Sequence, residues 1–173
     1  MIRRIASTAR RALACRDGAA AMEMALVAPL FLVILCGAVD LGNYFMSEHV
    51  VVKAVRDGAR YASRRYPLAC TATSNDTTST TATEIRNLVR TNTIASGGTM
   101  RLNNWSDAST ITVAITCNTA DTSLRAGVYR NLTSIPVVKV SAAVPYSSLF
   151  RAFGITNTTL TLNASSQAAV MGS

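Results

Sequence analysis

Histidine, paired acidic residues and closely spaced cysteines are scarce in this sequence, and their scarcity excludes most kinds of active site. His49 is the only histidine among 173 residues, and no second group is placed beside it by any motif. We therefore interpret His49 as a helix-surface residue and not as a metal ligand or a catalytic base. The four cysteines form no Cys-x-x-Cys pair, and the acidic residues are scattered with no glycine-rich phosphate loop. We expect no enzyme activity, no cofactor or metal, and no small-molecule substrate.

A continuous basic surface is also lacking, although the formal net charge is +8. Five of the 17 basic residues precede the first long apolar segment: Arg3, Arg4, Arg10, Arg11 and Arg16. The others are scattered, apart from a local cluster at Arg60, Arg64 and Arg65. No run alternates basic and aromatic residues in the way that follows a nucleic-acid backbone, so we predict no nucleic-acid partner.

What the sequence does contain is one long apolar segment. Residues 19–39 carry a single charge, Glu23, and at about 1.5 Å per residue they are long enough to cross a hydrocarbon core of about 30 Å. This composition predicts a membrane-spanning helix with the lipid bilayer as its partner. No lysine or arginine lies between Arg16 and Lys53, so the positive-inside rule places the N-terminus in the cytoplasm and the rest outside.

The basic residues before the apolar segment allow two kinds of processing. A secretory signal peptide also begins with basic residues, but its apolar region is usually about 7–15 residues long and lacks a charge such as Glu23. A cut between Gly18 and Ala19 fits better, because two small residues leave room for an intramembrane protease. Such a cut would remove a leader of residues 1–18 and keep the helix.

Four stretches of the chain resemble a known family. The segment Gly18-Ala-Ala-Ala-Met-Glu23 follows Arg16-Asp17 and resembles the processing site of type IV prepilins and pseudopilins. Together with Asp40-Leu-Gly42, the stretch Arg56-Asp-Gly-Ala-Arg-Tyr-Ala62 and an ending over residues 140–164, it resembles the TadE-like family of tight-adherence (Tad, type IVc) pilus systems. The middle of the chain, about residues 68–130, carries no such resemblance.

The resemblance implies a minor pilin or pseudopilin in the bacterial inner membrane that takes part in assembly or priming of an adhesive pilus. Its implied partners are a prepilin peptidase, other pilin or pseudopilin subunits and the inner-membrane platform. It also implies that Glu23 pairs with the new amino terminus, at Ala19, of a neighbouring subunit; the alternative is that Glu23 only reaches the membrane interface. Major pilins of these systems tend to carry an aromatic residue where this chain has Met24, which favours a minor subunit. The other function left open is an uncleaved, single-pass scaffold or adhesin.

Helical periodicity continues beyond the apolar segment. Apolar residues recur at steps of three and four, which predicts one helix over residues 19–65 that ends before Pro67 and kinks at Pro29. Its apolar stripe needs a partner, either the chain's own sheet or neighbouring pilin stems. Small residues form a ridge that permits close helix packing, and they are spaced by four: Ala54, Gly58 and Ala62.

The outward region, residues 66–173, is predicted to be a small α+β domain. A polar Thr/Ser-rich loop over 71–83 is expected to be exposed and mobile, and an amphipathic helix over 83–94 to end at Gly97-Gly98. Strands are predicted by alternating apolar residues at 110–116, 136–144 and 158–166. They form one antiparallel sheet that packs on the long helix, which gives a pilin-like lollipop.

Two further expectations concern the outward region. Cys15 lies in the leader and Cys36 in the membrane, so Cys70 and Cys117 are the natural disulfide pair in an oxidising compartment, with two free thiols as the alternative. Aromatic residues before the last strand either fill the end of the sheet, which we favour, or contact the outer membrane surface: Tyr146, Phe150 and Phe153.

Overall fold

The computed structural model describes residues 17–70, 73–103, 105–119, 126–148, 150 and 160–172. It divides the chain into two compact units, Met1–Gly42 and Asn43–Ser173, which we call the first and second units. The predicted leader, apart from its last two residues, lies outside the described residues.

One long helix, α1, spans Asp17–Arg65 and continues through Pro29. In the first unit its large apolar side chains have between 50 % and 75 % of their surface exposed, as Val27 and Leu26 illustrate. The helix contains an 18-residue window with a mean hydropathy of 2.4 and no buried residue, so it is long and apolar enough to cross a membrane. The helix ends with Arg64 and Arg65, whose positive charges interact favourably with the carbonyl end of the helix.

The second unit contains a four-stranded antiparallel sheet in the order β1-β2-β3-β4. The strands are β1 (Ser74–Asn75), β2 (Ile111–Asn118), β3 (Ile135–Pro145) and β4 (Thr161–Ala169). Val113 pairs with Val140, and Val140 with Ser166. Alternate residues of β3 are buried, which is the pattern of a sheet with one covered face. The predicted α+β fold, a long N-terminal helix with a small antiparallel sheet, is confirmed.

The covered face of the sheet packs against α1 and a second helix, α2, which spans Thr80–Thr91. Trp105 is completely buried in this core, and its indole Nε1 donates a hydrogen bond of 2.9 Å to Thr110 Oγ1. The core residues of the helices are Val51, Ala54, Val55, Ala59, Ala62, Ile85 and Val89.

The predicted bounds of α2, residues 83–94, are wrong at both ends. The helix begins at Thr80 because Ser79 caps it, accepting a hydrogen bond of 2.9 Å from the amide of Ala82. It ends at Thr91 because Asn92 adopts a left-handed conformation (φ 66°) and its amide donates to Leu88 O at 2.9 Å. The helix therefore ends well before Gly97-Gly98.

Two other sequence predictions also need correction. The segment 71–83 is not one exposed loop, since Ser74 and Asn75 pair with β2 and residues 80–83 belong to α2. The last strand spans Thr161–Ala169 and passes the predicted end at residue 166, because it continues along β3 until Ala169 pairs with Val137. Residues 158 and 159 of the predicted range lie outside the described residues.

The end of β4 is attached to the end of α1. The amide of Met171 donates to Ser63 O at 2.8 Å, and the amide of Val170 donates to Pro136 O at 2.9 Å. Tyr129 closes the same region, since its hydroxyl donates to Val170 O at 2.8 Å. The last described residues therefore complete the core that α1 begins.

Candidate assembly segment

Residues 20–39 of α1 present an apolar helix surface with one carboxylate. Glu23 is the only charged residue between Ala20 and Val39, and it is exposed. Within the described residues Glu23 makes no hydrogen bond or ion pair. A charged side chain at the centre of a membrane-spanning helix costs about 2.5–3.5 kcal/mol without a partner, and nearer the end of the helix, where Glu23 lies, it costs less. A cationic group from another molecule would lower that cost.

Gly18 lies in the first turn of α1, and the space around it is open. It is exposed, and a Cβ added there would meet no other atom within 4 Å. The side chains of the flanking residues, Asp17 and Ala19, lie outside the described part of the structure. The predicted scissile bond and Glu23 are therefore on one continuous helix, five residues apart from Gly18 to Glu23.

The small-residue ridge of α1 packs inside the second unit. Ala54 and Ala62 are fully buried. A Cβ added to Gly58 would lie 2.5 Å from Val89 Cγ2 of α2 and 3.6 Å from Val140 Cγ1 of β3. The ridge therefore packs on α2 and on the sheet of the same chain. Of the two partners that the sequence left open for the apolar stripe of the helix, the structure shows the chain's own sheet.

Cys70 and Cys117 form a disulfide, with their Cα atoms 5.7 Å apart and a sequence separation of 47. This is the pair expected from the sequence, and it links the segment after α1 to β2. Hydrogen bonds accompany it, from Ser134 Oγ to Cys70 O at 3.3 Å and from the Cys117 amide to Thr73 Oγ1 at 3.3 Å. Among the described residues Cys36 is a free thiol, half-buried on α1.

Tyr146 packs against α1 in the second unit. Its ring meets that of Tyr44 edge to face, with centroids 5.2 Å apart, and its hydroxyl accepts a hydrogen bond of 3.0 Å from Asn43 Nδ2. This placement agrees with the favoured interpretation, in which Tyr146 fills the end of the sheet. Phe150 is half-buried and Phe153 lies outside the described residues, so a membrane contact by these two stays a prediction.

Sequence reasoning missed a polar network centred on Asp76. Tyr66 donates its hydroxyl to Asp76 Oδ2 at 2.5 Å, and both the hydroxyl and the amide of Ser79 donate to the same carboxylate, the amide at 3.0 Å. Burial alone would raise the pKa of Asp76, but the hydrogen bonds from Ser79 and Tyr66 outweigh it and lower this pKa. Burial, with the hydrogen bond to Asp76, raises the pKa of Tyr66. The network therefore joins the end of α1 to the start of α2. Asp76 is its ionised acceptor, and Tyr66 and Ser79 are its neutral donors.

Arg86 reinforces this junction through backbone carbonyls. Its guanidinium donates to Asp76 O at 2.9 Å and to Thr77 O at 3.0 Å. These residues line part of an open cleft of about 470 Å³ beside β2. Among the described residues, no group of three or more His, Cys, Asp and Glu is placed to hold a metal.

These observations define the class of protein: a small α+β domain on an N-terminal helix with the length and composition of a single-pass membrane anchor. Residues 18–60 match the family model described as TadE-like protein. The match confirms the predicted resemblance to the TadE-like family over these residues, and this family is one associated with Tad pili. Comparisons with curated proteins and with solved structures gave no significant match.

Proposed function

We propose that this chain is a minor pilin or pseudopilin that takes part in assembly or priming of a Tad-type (type IVc) adhesive pilus. It is made as an inner-membrane precursor with a cytoplasmic N-terminus. A prepilin peptidase cleaves it between Gly18 and Ala19, and it then associates with other pilin or pseudopilin subunits and their inner-membrane platform.

The observation that carries this proposal is the isolated carboxylate of Glu23 on an exposed apolar helix. Cleavage would give Ala19 a free α-amino group close to the same end of the helix. A charged amine and a charged carboxylate each lose hydration in a bilayer, and pairing them between neighbouring helices offsets part of that loss. Because the two charges attract only when the helices are at matching heights, the pair would also set the axial register of the subunits.

Two further features support this assignment. The open space around Gly18 suits a peptidase that must approach the helix at that point. Met24, which stands where major pilins of these systems tend to carry an aromatic residue, favours a minor subunit over the main filament subunit.

The first experiment is mass spectrometry of the protein from its natural host. We expect a mature N-terminus at Ala19. An intact Met1 leader in piliated cells would refute the processing step and favour the uncleaved scaffold or adhesin.

The second experiment replaces Glu23 by Gln, which removes the charge and keeps the size of the side chain. We expect normal cleavage with at least a tenfold loss of pili counted by electron microscopy. Glu48→Gln is the matched control, because it makes the same change on α1 beyond the apolar segment. Normal piliation of Glu23→Gln would contradict the proposed role of this carboxylate.

A further inference from the structure

A row of cations lies along one exposed face of α1 in the second unit. Its members are Lys53, Arg56, Arg60 and Arg64, which are spaced by three or four residues and are all exposed. With 3.6 residues per turn they fall within about 80° of the helix circumference and extend over about 16 Å of its length. We call this surface the basic stripe.

No carboxylate of the helix balances the basic stripe. Within the part of the chain that the structure describes, the four cationic side chains make no hydrogen bond or ion pair. Glu48 lies about 140° around the helix from Lys53, given 3.6 residues per turn. Asp57 is adjacent to the stripe but is paired with Arg101, whose Nη2 lies 3.4 Å from Asp57 Oδ2.

The other carboxylates among the described residues of the second unit are engaged within the fold. Glu84 accepts hydrogen bonds from Tyr61 at 2.6 Å and from Arg65 at 3.3 Å. Asp107 accepts from the amide of Ser109 at 2.7 Å, and Asp76 belongs to the network at the start of α2. Among its described residues, a second copy of the chain therefore offers no row of free carboxylates to face the basic stripe. Two basic stripes facing each other would repel.

We propose that the basic stripe is the docking surface for a different subunit, whose helix carries carboxylates at the same spacing of three and four residues. Such a row would place its carboxylates opposite the guanidinium groups, which form strong, directional hydrogen bonds with carboxylates. Met46, with 71 % of its surface exposed, lies on the same face and continues it as an apolar contact for the partner helix. This inference rests on the proposed function, in which neighbouring stem helices lie side by side.

The test uses the full chain in its natural host, with a photoreactive benzoylphenylalanine in place of His49, which is exposed on the same face as the stripe. The charge-reversal variant is Arg56→Glu with Arg60→Glu. The matched control, Arg130→Glu with Lys139→Glu, changes the net charge equally at exposed positions away from the helix. Illumination, denaturing gel electrophoresis and mass spectrometry then identify what is cross-linked.

We expect a cross-link to a different pilin-like subunit, a loss of at least tenfold in the charge-reversal variant, and no loss in the control. Introducing lysine at the carboxylates of the partner's cross-linked helix should restore the adduct. The neutral pair Arg56→Gln and Arg60→Gln should give an intermediate loss, which separates charge pairing from a general effect on the fold. Retention of the Cys70–Cys117 disulfide on non-reducing gels checks that each variant is folded.

Several results would overturn the inference: cross-links only to a second copy of the chain, only to lipid or only to nucleic acid, no cross-link at all, or equal losses in the variant and its control. Failure of this inference can be distinguished from failure of the proposed function. If Glu23→Gln abolishes piliation while charge reversal leaves the adduct unchanged, only the docking inference fails. If Glu23→Gln leaves piliation intact, the proposed function fails.

Discussion

At Gly58 α1 lies close to α2, and replacing this glycine by alanine should destabilise the second unit. The added Cβ would lie 2.5 Å from Val89 Cγ2, well inside van der Waals contact. Val89 is β-branched and restricted in χ1, so it cannot rotate freely out of the way. The helices must separate slightly or a neighbouring side chain must leave its rotamer.

The expected magnitude follows from two opposing effects. Overpacking of a core costs about 1–3 kcal/mol, whereas replacing glycine by alanine inside a helix gains about 1 kcal/mol. The free energy of unfolding of Gly58→Ala should therefore fall by about 1 kcal/mol. Gly42→Ala is the matched control on the same helix, because nothing lies within 4 Å of a Cβ added there. It should leave the stability unchanged or raise it by up to about 1 kcal/mol.

Trp105 provides the assay, since it is the single tryptophan of the chain and is completely buried. Urea unfolding of the full chain in detergent, followed by tryptophan fluorescence, gives the unfolding free energy. Adding Val89→Ala to Gly58→Ala should recover about 1 kcal/mol relative to the sum of the single variants. The reasoning is refuted if Gly58→Ala is as stable as Gly42→Ala, or if the two substitutions at the contact are additive.

Three further predictions concern the same unit. The double variant Cys70→Ser with Cys117→Ser removes the disulfide, whose sequence separation is 47, and should lower the free energy of unfolding by about 2–4 kcal/mol. An unchanged midpoint of urea unfolding would contradict this prediction. Because the pKa of Asp76 is lower in the folded state, its carboxylate stabilises the fold fully above about pH 4 and loses that contribution as the pH falls through the folded pKa. Asp76→Asn should therefore have a lower free energy of unfolding at pH 7 than the wild type. In acid titrations its free energy of unfolding should also fall less steeply below about pH 4, and a slope equal to that of the wild type would argue against the network. Tyr146→Phe should lower the free energy of unfolding by about 1 kcal/mol and Tyr146→Ser by about 3 kcal/mol, because serine also loses the ring packing on Tyr44. The same fluorescence assay measures both, and equal stabilities of the two variants would show that the Tyr146 ring does not contribute to the core.

The features that could be predicted from the sequence are those set by local periodicity. The C-terminal end of α1 at Arg65 follows from a steady apolar repeat that stops at a proline, and β2 and β3 follow from clear alternation. The disulfide could be predicted because one other cysteine lies in the apolar segment and one in the basic leader.

The start of α2 could not be predicted because several residues before it can cap a helix. The segment from Ser74 to Thr81 contains serine and threonine at most positions, and local sequence does not choose among them. The choice is made by tertiary contacts: Asp76 binds both Ser79 and Tyr66, the residue that directly follows the preceding helix. The same limit applies to the ridge at Gly58, whose partner depends on where α2 packs.

The order in which the core is completed also has a consequence for newly made protein. α1 contributes its buried face first, but Leu162 and Val170, which cover part of the same core, come from the last strand and the residue that follows it. At about 5–20 residues per second, the roughly 100 residues between them take about 5–20 s to synthesise. During that interval the nascent chain carries an uncovered valine- and alanine-rich surface, so its folding yield should depend on chaperones that shield it until translation ends.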